Sequence, residues 1–219
     1  YRAEGFKNQS GFMTYADLET TIGIDVSYYQ GNIDWQQVKD SGIDFAILRL
    51  GYRGYSAGNL AEDVRFQEYI DGASAAGIDI GIYFFSQAIT VQEAKEEAEF
   101  VLSKLGNYAV TYPVFFDWEI IGIKPARTDG LSTQALTACA KTFCDTIADA
   151  GYTPGIYFTK YLGYISYDLS QLADYEFWFA EYSKTPGFYY DFDMWQYSDT
   201  SKIPGISGRV DMNICFKQY

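Results

Sequence analysis

The sequence predicts an α/β fold, a single-domain degenerate TIM-like barrel of five β/α units followed by three β-strands. Three observations carry this. Short runs rich in Ile, Val, Phe and Tyr alternate five times with segments of helical period, the pattern of a parallel sheet. The runs are nearly continuous in apolar residues, as strands buried on both faces are. Three further strand-like runs then follow closely, and nothing between residues 21 and 219 has linker composition, so eight strands belong to one domain. An open doubly wound sheet is the alternative, but the glycine-rich phosphate fingerprints that often accompany it are missing.

Residues 1–20 are polar and mixed, and read as an N-terminal extension that is draped on the domain or mobile. In Thr21–Ser27, Ile22, Ile24 and Val26 alternate with Gly23, Asp25 and Ser27, which marks the first strand. Asp34 is placed to cap a short helix from Trp35 to about Asp40. Phe45–Gly51 is the second strand, apolar except for Arg49. A Gly- and Tyr-rich loop leads to a helix expected over Ala61–Ala76, with Gly77 closing it. Asp79–Ser86 is the third strand. Thr90-Val-Gln-Glu93 has the form of a capping box and opens a helix to about Leu105. Pro113–Glu119 is the fourth strand, and Ser132 starts a helix that reaches Ala150. Pro154–Thr159 is the fifth strand. Only turns or a brief helix fit between it and Tyr175, and the last three strands are Glu176–Tyr182, Phe192–Tyr197 and Arg209–Phe216.

Composition narrows the chemistry. The chain is 48% hydrophobic and carries a net charge of −13, which argues against nucleic acid and against docking on anionic membranes. It has no histidine, so Ser-His-Asp and Cys-His nucleophiles and His-based metal sites are excluded. Cys139, Cys144 and Cys215 form no Cys-x-x-Cys pair and read as small apolar filler; no metal site and no cofactor is expected. No stretch is long and apolar enough to span a membrane. The numbering begins at Tyr1, which leaves room for a processed upstream segment.

The fourth strand ends in two acids. Strand alternation puts Phe115, Asp117 and Glu119 on one face and Val114, Phe116 and Trp118 on the other. Two carboxylates on a buried face are costly unless they are used or neutralised. Asp25 falls late in the first strand and Asp211 in the last, and these strands are neighbours in a closed barrel. Four acids would then gather at one mouth. Pairing of Asp25 or Asp211 with Arg49 or Arg209 is the purely structural alternative. Crowded carboxylates drive each other's pKa values apart, so one can hold a proton while another stays ionised. Glycoside cleavage needs that arrangement. Tyr83, Phe85, Trp118, Tyr157 and Trp195 lie near strand ends and could stack on sugars, although core packing explains each equally well.

Several segments together resemble the family-25 glycoside hydrolases, the bacterial and phage N-acetylmuramidases. They are Gly23-Ile-Asp-Val-Ser27, Gln30-Gly31, Ile33-Asp-Trp35, Gly81-Ile-Tyr-Phe-Phe85, Pro113–Glu119, Pro154-Gly-Ile-Tyr157, Phe177–Tyr182, Met194-Trp-Gln-Tyr-Ser198 and Gly208-Arg-Val-Asp-Met-Asn213. The likeness implies a lysozyme that cleaves the β-1,4 bond between N-acetylmuramic acid and N-acetylglucosamine in peptidoglycan. Glu119 then matches the general acid and Asp117 its ionised partner, acting directly or by orienting the substrate's N-acetyl group. Asp25 and Asp211 match the supporting acids. Peptidoglycan glycan strands are the implied partner, with the chain a monomer that is secreted or held at the cell wall. The chain departs from the usual pattern at Tyr28-Tyr29, at Phe84 and at Leu48–Arg53, which leave the four acids intact but bear on cleft shape. A catalytically silent glycan-binding barrel and a chitinase-like hydrolase of plain N-acetylglucosamine polymers are the competing readings.

Overall fold

The computed structural model of the chain describes residues 1–16 and 18–219. Eight strands close into a barrel in the order β3 (Thr21–Val26), β4 (Phe45–Arg53), β6 (Asp79–Ser86), β7 (Val114–Trp118), β8 (Pro154–Thr159), β9 (Glu176–Ala180), β10 (Met194–Ser201) and β11 (Val210–Cys215). Neighbours run parallel except β11, which is antiparallel to both β10 and β3 and so seals the barrel. Helices α1 (Trp35–Asp40), α2 (Phe66–Ala75), α3 (Val91–Leu105) and α4 (Thr133–Asp149) cover the first half. Their caps follow the sequence: Asp34, Thr90 and Ser132 each accept from the backbone N–H three residues on. The Glu93 carboxylate reaches back to the N–H of Ile89, one residue before the cap. After β8 the chain makes a π-turn (Leu162–Ser166) and a 3-10 turn (Leu169–Gln171) instead of a long helix.

Alternation along the strands sorts side chains into two cores. Ile24, Leu48, Ile82, Phe84, Val114, Phe116, Ile156 and Phe158 face outward under the helices. Phe45, Ile47, Tyr112, Phe115, Tyr157, Trp178, Met194 and Cys215 fill the lumen. These rings fit because glycines stand opposite them. A Cβ on Gly23 would lie 2.2 Å from the Phe45 ring, and one on Gly155 would lie 2.4 Å from Phe115. The repeated Gly-Ile pairs at strand starts are therefore a volume requirement of the lumen.

One segment differs from expectation. The helix expected over Ala61–Ala76 starts only at Phe66, because Leu60–Glu62 forms β5 and pairs antiparallel with Gly51–Arg53. Asp63 makes the switch between them: its N–H donates to Leu50 O and its carboxylate accepts from the N–H of Arg65. Residues 6–15 form a hairpin, β1 (Phe6–Gln9) and β2 (Phe12–Tyr15), seated on the barrel. Its aromatics cover the part of the wall that lacks helices. Phe6 packs edge-on against Trp195 at 5.1 Å, Tyr1 stacks on Phe216 at 4.0 Å, and the Tyr1 hydroxyl donates to Phe192 O at 3.0 Å. Asp17 lies outside the described residues.

The hairpin thus stands in for a missing helix layer. Phe6→Ala should lower stability by about 3 kcal/mol, the usual cost of removing a buried phenyl. Removing residues 1–16 should also expose Trp195, readable as a red shift of its fluorescence; an unchanged unfolding midpoint in both variants would contradict this role.

Candidate active site

The four acids come together at the mouth formed by the carboxyl ends of the parallel strands. Asp25 and Asp211 face each other across the β3–β11 seam, and Asp117 pairs in register with Phe85 on one side and Tyr157 on the other. Glu119 follows β7 directly. All four line one cavity of about 430 Å³, together with Tyr29, Arg49, Tyr83, Phe85 and Ile121 among others. None of the four acids forms an ion pair among the described residues. Arg49 turns instead to Asp63, at 2.7 Å, so the purely structural explanation for the acids fails.

Asp25 is held by amides. Its Oδ2 accepts from Gln196 Nε2 and from Asn213 Nδ2, both at 2.8 Å. Each amide is itself fixed: Trp178 Nε1 donates to Asn213 Oδ1 at 2.8 Å, and the Tyr157 and Tyr182 hydroxyls donate to Gln196 Oε1 at 3.0 Å. Burial pushes Asp25 up to about 6, and these two amides oppose the rise by favouring its anion. Its charge then raises the others. Asp211 is pushed up to about 8 by burial and by Asp25. Glu119 is raised by burial and then by Asp25. Asp117 is raised well above the usual carboxylate range, first by burial and then by Glu119 and Asp25, with Arg49 opposing. Its Oδ1 is buried without a hydrogen-bond partner.

The aromatics expected at the site divide. Tyr83 and Phe85 line the cavity. Tyr157 points into the lumen, where its ring edge meets Trp178 at 4.7 Å and its hydroxyl serves Gln196, so it is a support and not a platform. Trp195 is excluded from the cleft. It is fully buried on the outer face beneath Phe6, and its Nε1 donates to Glu181 O at 3.0 Å. Alternation explains this, since Met194 and Gln196 take the inner face of β10. Trp118 is buried outside for the same reason.

Sequence reasoning also passed over residues that hold the site. Gln196 and Asn213 lie in motifs quoted above, and counting two from Asp211 puts Asn213 on the same inner face. Gln87 had no comparable signal. Fully buried just after β6, it donates from Nε2 to Glu119 O at 3.1 Å and to Ser86 O at 2.8 Å, while its Oε1 accepts from Thr128 at 3.0 Å. Its own carbonyl accepts from Arg127, which is salt-bridged to Glu93. The loop that carries Glu119 is thereby fastened to the start of α3.

A β/α barrel with a carboxylate cluster at its mouth, none of the four acids ion-paired, and aromatic rings beside it has the build of a glycoside hydrolase. The chain belongs to the glycosyl hydrolases family 25, whose sequence profile matches residues 24–206. It is 26% identical to the autolytic lysozyme of Clostridium acetobutylicum over 87% of this chain and 54% of that protein. With Lysozyme M1 of Streptomyces globisporus it shares 29% identity over 90% of this chain and 68% of that one. It thus spans about half the length of the first of these relatives and two thirds of the second. Among solved structures, the bacterial lysozyme of Streptomyces coelicolor superposes with a TM-score of 0.74 at 29% identity, covering 90% of this chain and 92% of that one. The modular autolysin LytC of Streptococcus pneumoniae shares the fold with a TM-score of 0.80 at 24% identity, covering 96% and 52%.

The raised carboxyls fix the sign of a pH effect on stability. An unfolded Asp ionises near 3.8, whereas folded Asp25 and Asp211 hold their protons to about 6 and about 8. The folded state therefore binds more protons than the unfolded state between these limits. This contribution is complete below pH 4 and is lost as pH rises through 6 to 8. The melting temperature should fall across that window, and Asp211→Asn should flatten the upper part of the fall. A melting temperature that climbs from pH 5 to 8 with the same slope in both proteins would refute the assignment.

Proposed function

We propose that this chain is a lysozyme that hydrolyses the glycan strands of peptidoglycan, cleaving the β-1,4 bond between N-acetylmuramic acid and N-acetylglucosamine. The observation that carries the proposal is the cluster of four acids in one cavity, none of them ion-paired among the described residues, an arrangement that costs folding energy and serves acid catalysis of glycoside cleavage. Two relatives named as lysozymes, and an Arthroderma benhamiae relative named N,O-diacetylmuramidase that is 27% identical over 65% of this chain, support the substrate class. One chain supplies all four acids, so it works as a monomer, acting on the wall outside the cell. No described helix is long and apolar enough to cross a membrane.

Glu119 is the general acid. Burial and the charge of Asp25 keep its proton in place at a pH where an exposed Glu would be ionised. Asp117 is the partner, and its unpartnered Oδ1 is the point of coupling to substrate. An acetamido N–H of the bound sugar donating there favours the Asp117 anion. An Asp117 anion beside Glu119 in turn helps Glu119 keep its proton. Glu119 passes that proton to the glycosidic oxygen as the bond to the sugar carbon breaks. The acetamido oxygen, oriented by Asp117, closes on that carbon, and water later opens the ring to give the reducing end. Asp25 supplies charge that helps hold that proton, with Asp211 beside it across the seam. Tyr83 and Phe85 border the sugar.

Glu119→Gln should fold as the wild type and lose wall lysis by at least a hundredfold, within the usual worth of a general acid. Mass analysis of fragments released from peptidoglycan and from chitin tests the bond: products ending in reducing N-acetylmuramic acid are expected, and cleavage of chitin alone would sink the assignment. Gln87→Ala, which frees the Glu119 backbone, should lower kcat about tenfold with little change in KM, as loss of alignment by one hydrogen bond does. A rise in KM with kcat intact would show that Gln87 does not position the acid.

A further inference from the structure

Beside the acid pocket lies a second cavity of about 340 Å³, bordered by Tyr28, Tyr29, Arg49, Tyr52, Asp63 and Phe85. It shares Tyr29, Arg49 and Phe85 with the first, so the two form one groove. Arg49 stands at the junction. Its guanidinium carbon lies 5.0 Å from the centre of the Tyr28 ring, 5.6 Å from Tyr29 and 5.7 Å from Tyr52. One edge faces Asp63: Nε donates to Oδ2 at 2.8 Å, and Nη2 lies 2.7 Å from the same oxygen. Asp63 is also supported by the N–H groups of Tyr28 and Arg65. Nη2 is itself buried without a hydrogen-bond partner, and Nε makes the one hydrogen bond of this guanidinium among the described residues, so the Nη1 end stays open although the side chain is only 11% exposed. Arg49 is the one Lys or Arg among the residues that line the groove, where Asp25, Asp63, Asp117, Glu119 and Asp211 are all acids.

A planar cation pinned on one edge, clasped by three rings and left open at one end suits a carboxylate. Arg49 makes no ion pair with any of the four catalytic-mouth acids, so its open end is not spent on neutralising them. We propose that Nη1 of Arg49 receives a carboxylate borne directly on an amino sugar of the substrate, the free lactyl carboxylate of a muramic acid from which the stem peptide has been removed. The inference rests on the peptidoglycan reading above. The cavity directly adjoins the acid pocket, so the anion must sit on the sugar itself and not at the far end of a peptide. In an intact wall that lactyl carboxyl is an amide and carries no charge. The chain then follows, in reaction order, a hydrolysis of the amide between the lactyl group and the first amino acid.

Two glycan preparations test this: peptide-free strands with free lactyl carboxylates, and the same strands with those carboxylates converted to methylamides. Wild type should cleave the free-acid strands with a kcat/KM about tenfold higher, the worth of one charge-assisted hydrogen bond. The inactive Glu119→Gln protein should show the same ratio in Kd. Arg49→Gln should abolish the ratio, and Arg49→Lys, which retains the charge without the fork, should keep part of it. If Arg49→Gln fails to fold, Tyr29→Ala serves, since that ring is 74% exposed and should cost the preference severalfold without loss of fold. Equal use of both strands by wild type, or a preference that survives Arg49→Gln, overturns the proposal while leaving the muramidase reading standing. Failure of wild type to cleave either strand overturns that reading as well.

Discussion

Everything at the mouth of this barrel depends on the anion of Asp25. It is a buried carboxylate with no counter-cation, tolerated because two amides donate to one of its oxygens. Burying a charge without pairing is costly, and hydrogen bonds to the charged form are the alternative compensation. The amides must be held in the correct orientation, which is the task of Trp178, Tyr157 and Tyr182. Large lumen aromatics are thus part of the electrostatics and not only of the packing. Burial raises the pKa values of Asp211, Glu119 and Asp117, and the one anion adds to the rise at each.

The same lumen explains the strand-start glycines. A ring at Phe45 or Phe115 excludes a side chain on the neighbouring strand, and Gly23 and Gly155 give way. Filling the lower lumen with rings leaves the upper layer to polar residues, where Asp25, Asp117, Gln196 and Asp211 stand. Outside the barrel, helices cover one half and aromatic loops with the N-terminal hairpin cover the other. Phe179 stacked on Phe188 at 4.8 Å and Phe6 against Trp195 do there what α3 and α4 do elsewhere.

Much of this was legible in the chain. Strand alternation placed Asp117 inward and Phe116 outward, and the sharp change after Thr159 marked where helices give out. The four acids were found because charge in an apolar strand is conspicuous. What escaped has physical reasons. Trp195 looked like a cleft residue because proximity to a strand end does not say which face a ring takes; its neighbour Gln196, a plain amide, held the inner position. The early start expected for α2 failed because a hairpin between β4 and β5 is decided by backbone pairing, to which helical periodicity is blind. Gln87 acts through its backbone neighbour in space, thirty-two positions away in sequence.

Closure of the barrel by an antiparallel last strand has a consequence for how the site comes into being. Asp25 pairs with Asp211, and its two amide donors lie 171 and 188 positions further along. Contacts of such separation carry a heavy loop-closure cost and tend to form slowly. During synthesis the first strand must wait for nearly the whole barrel before its carboxylate is clasped. Until then Asp25 is an ordinary, solvated acid, and neither Glu119 nor Asp117 feels its field. The charge coupling within the cluster is therefore a property of the closed ring, absent from any chain whose last strand has not docked.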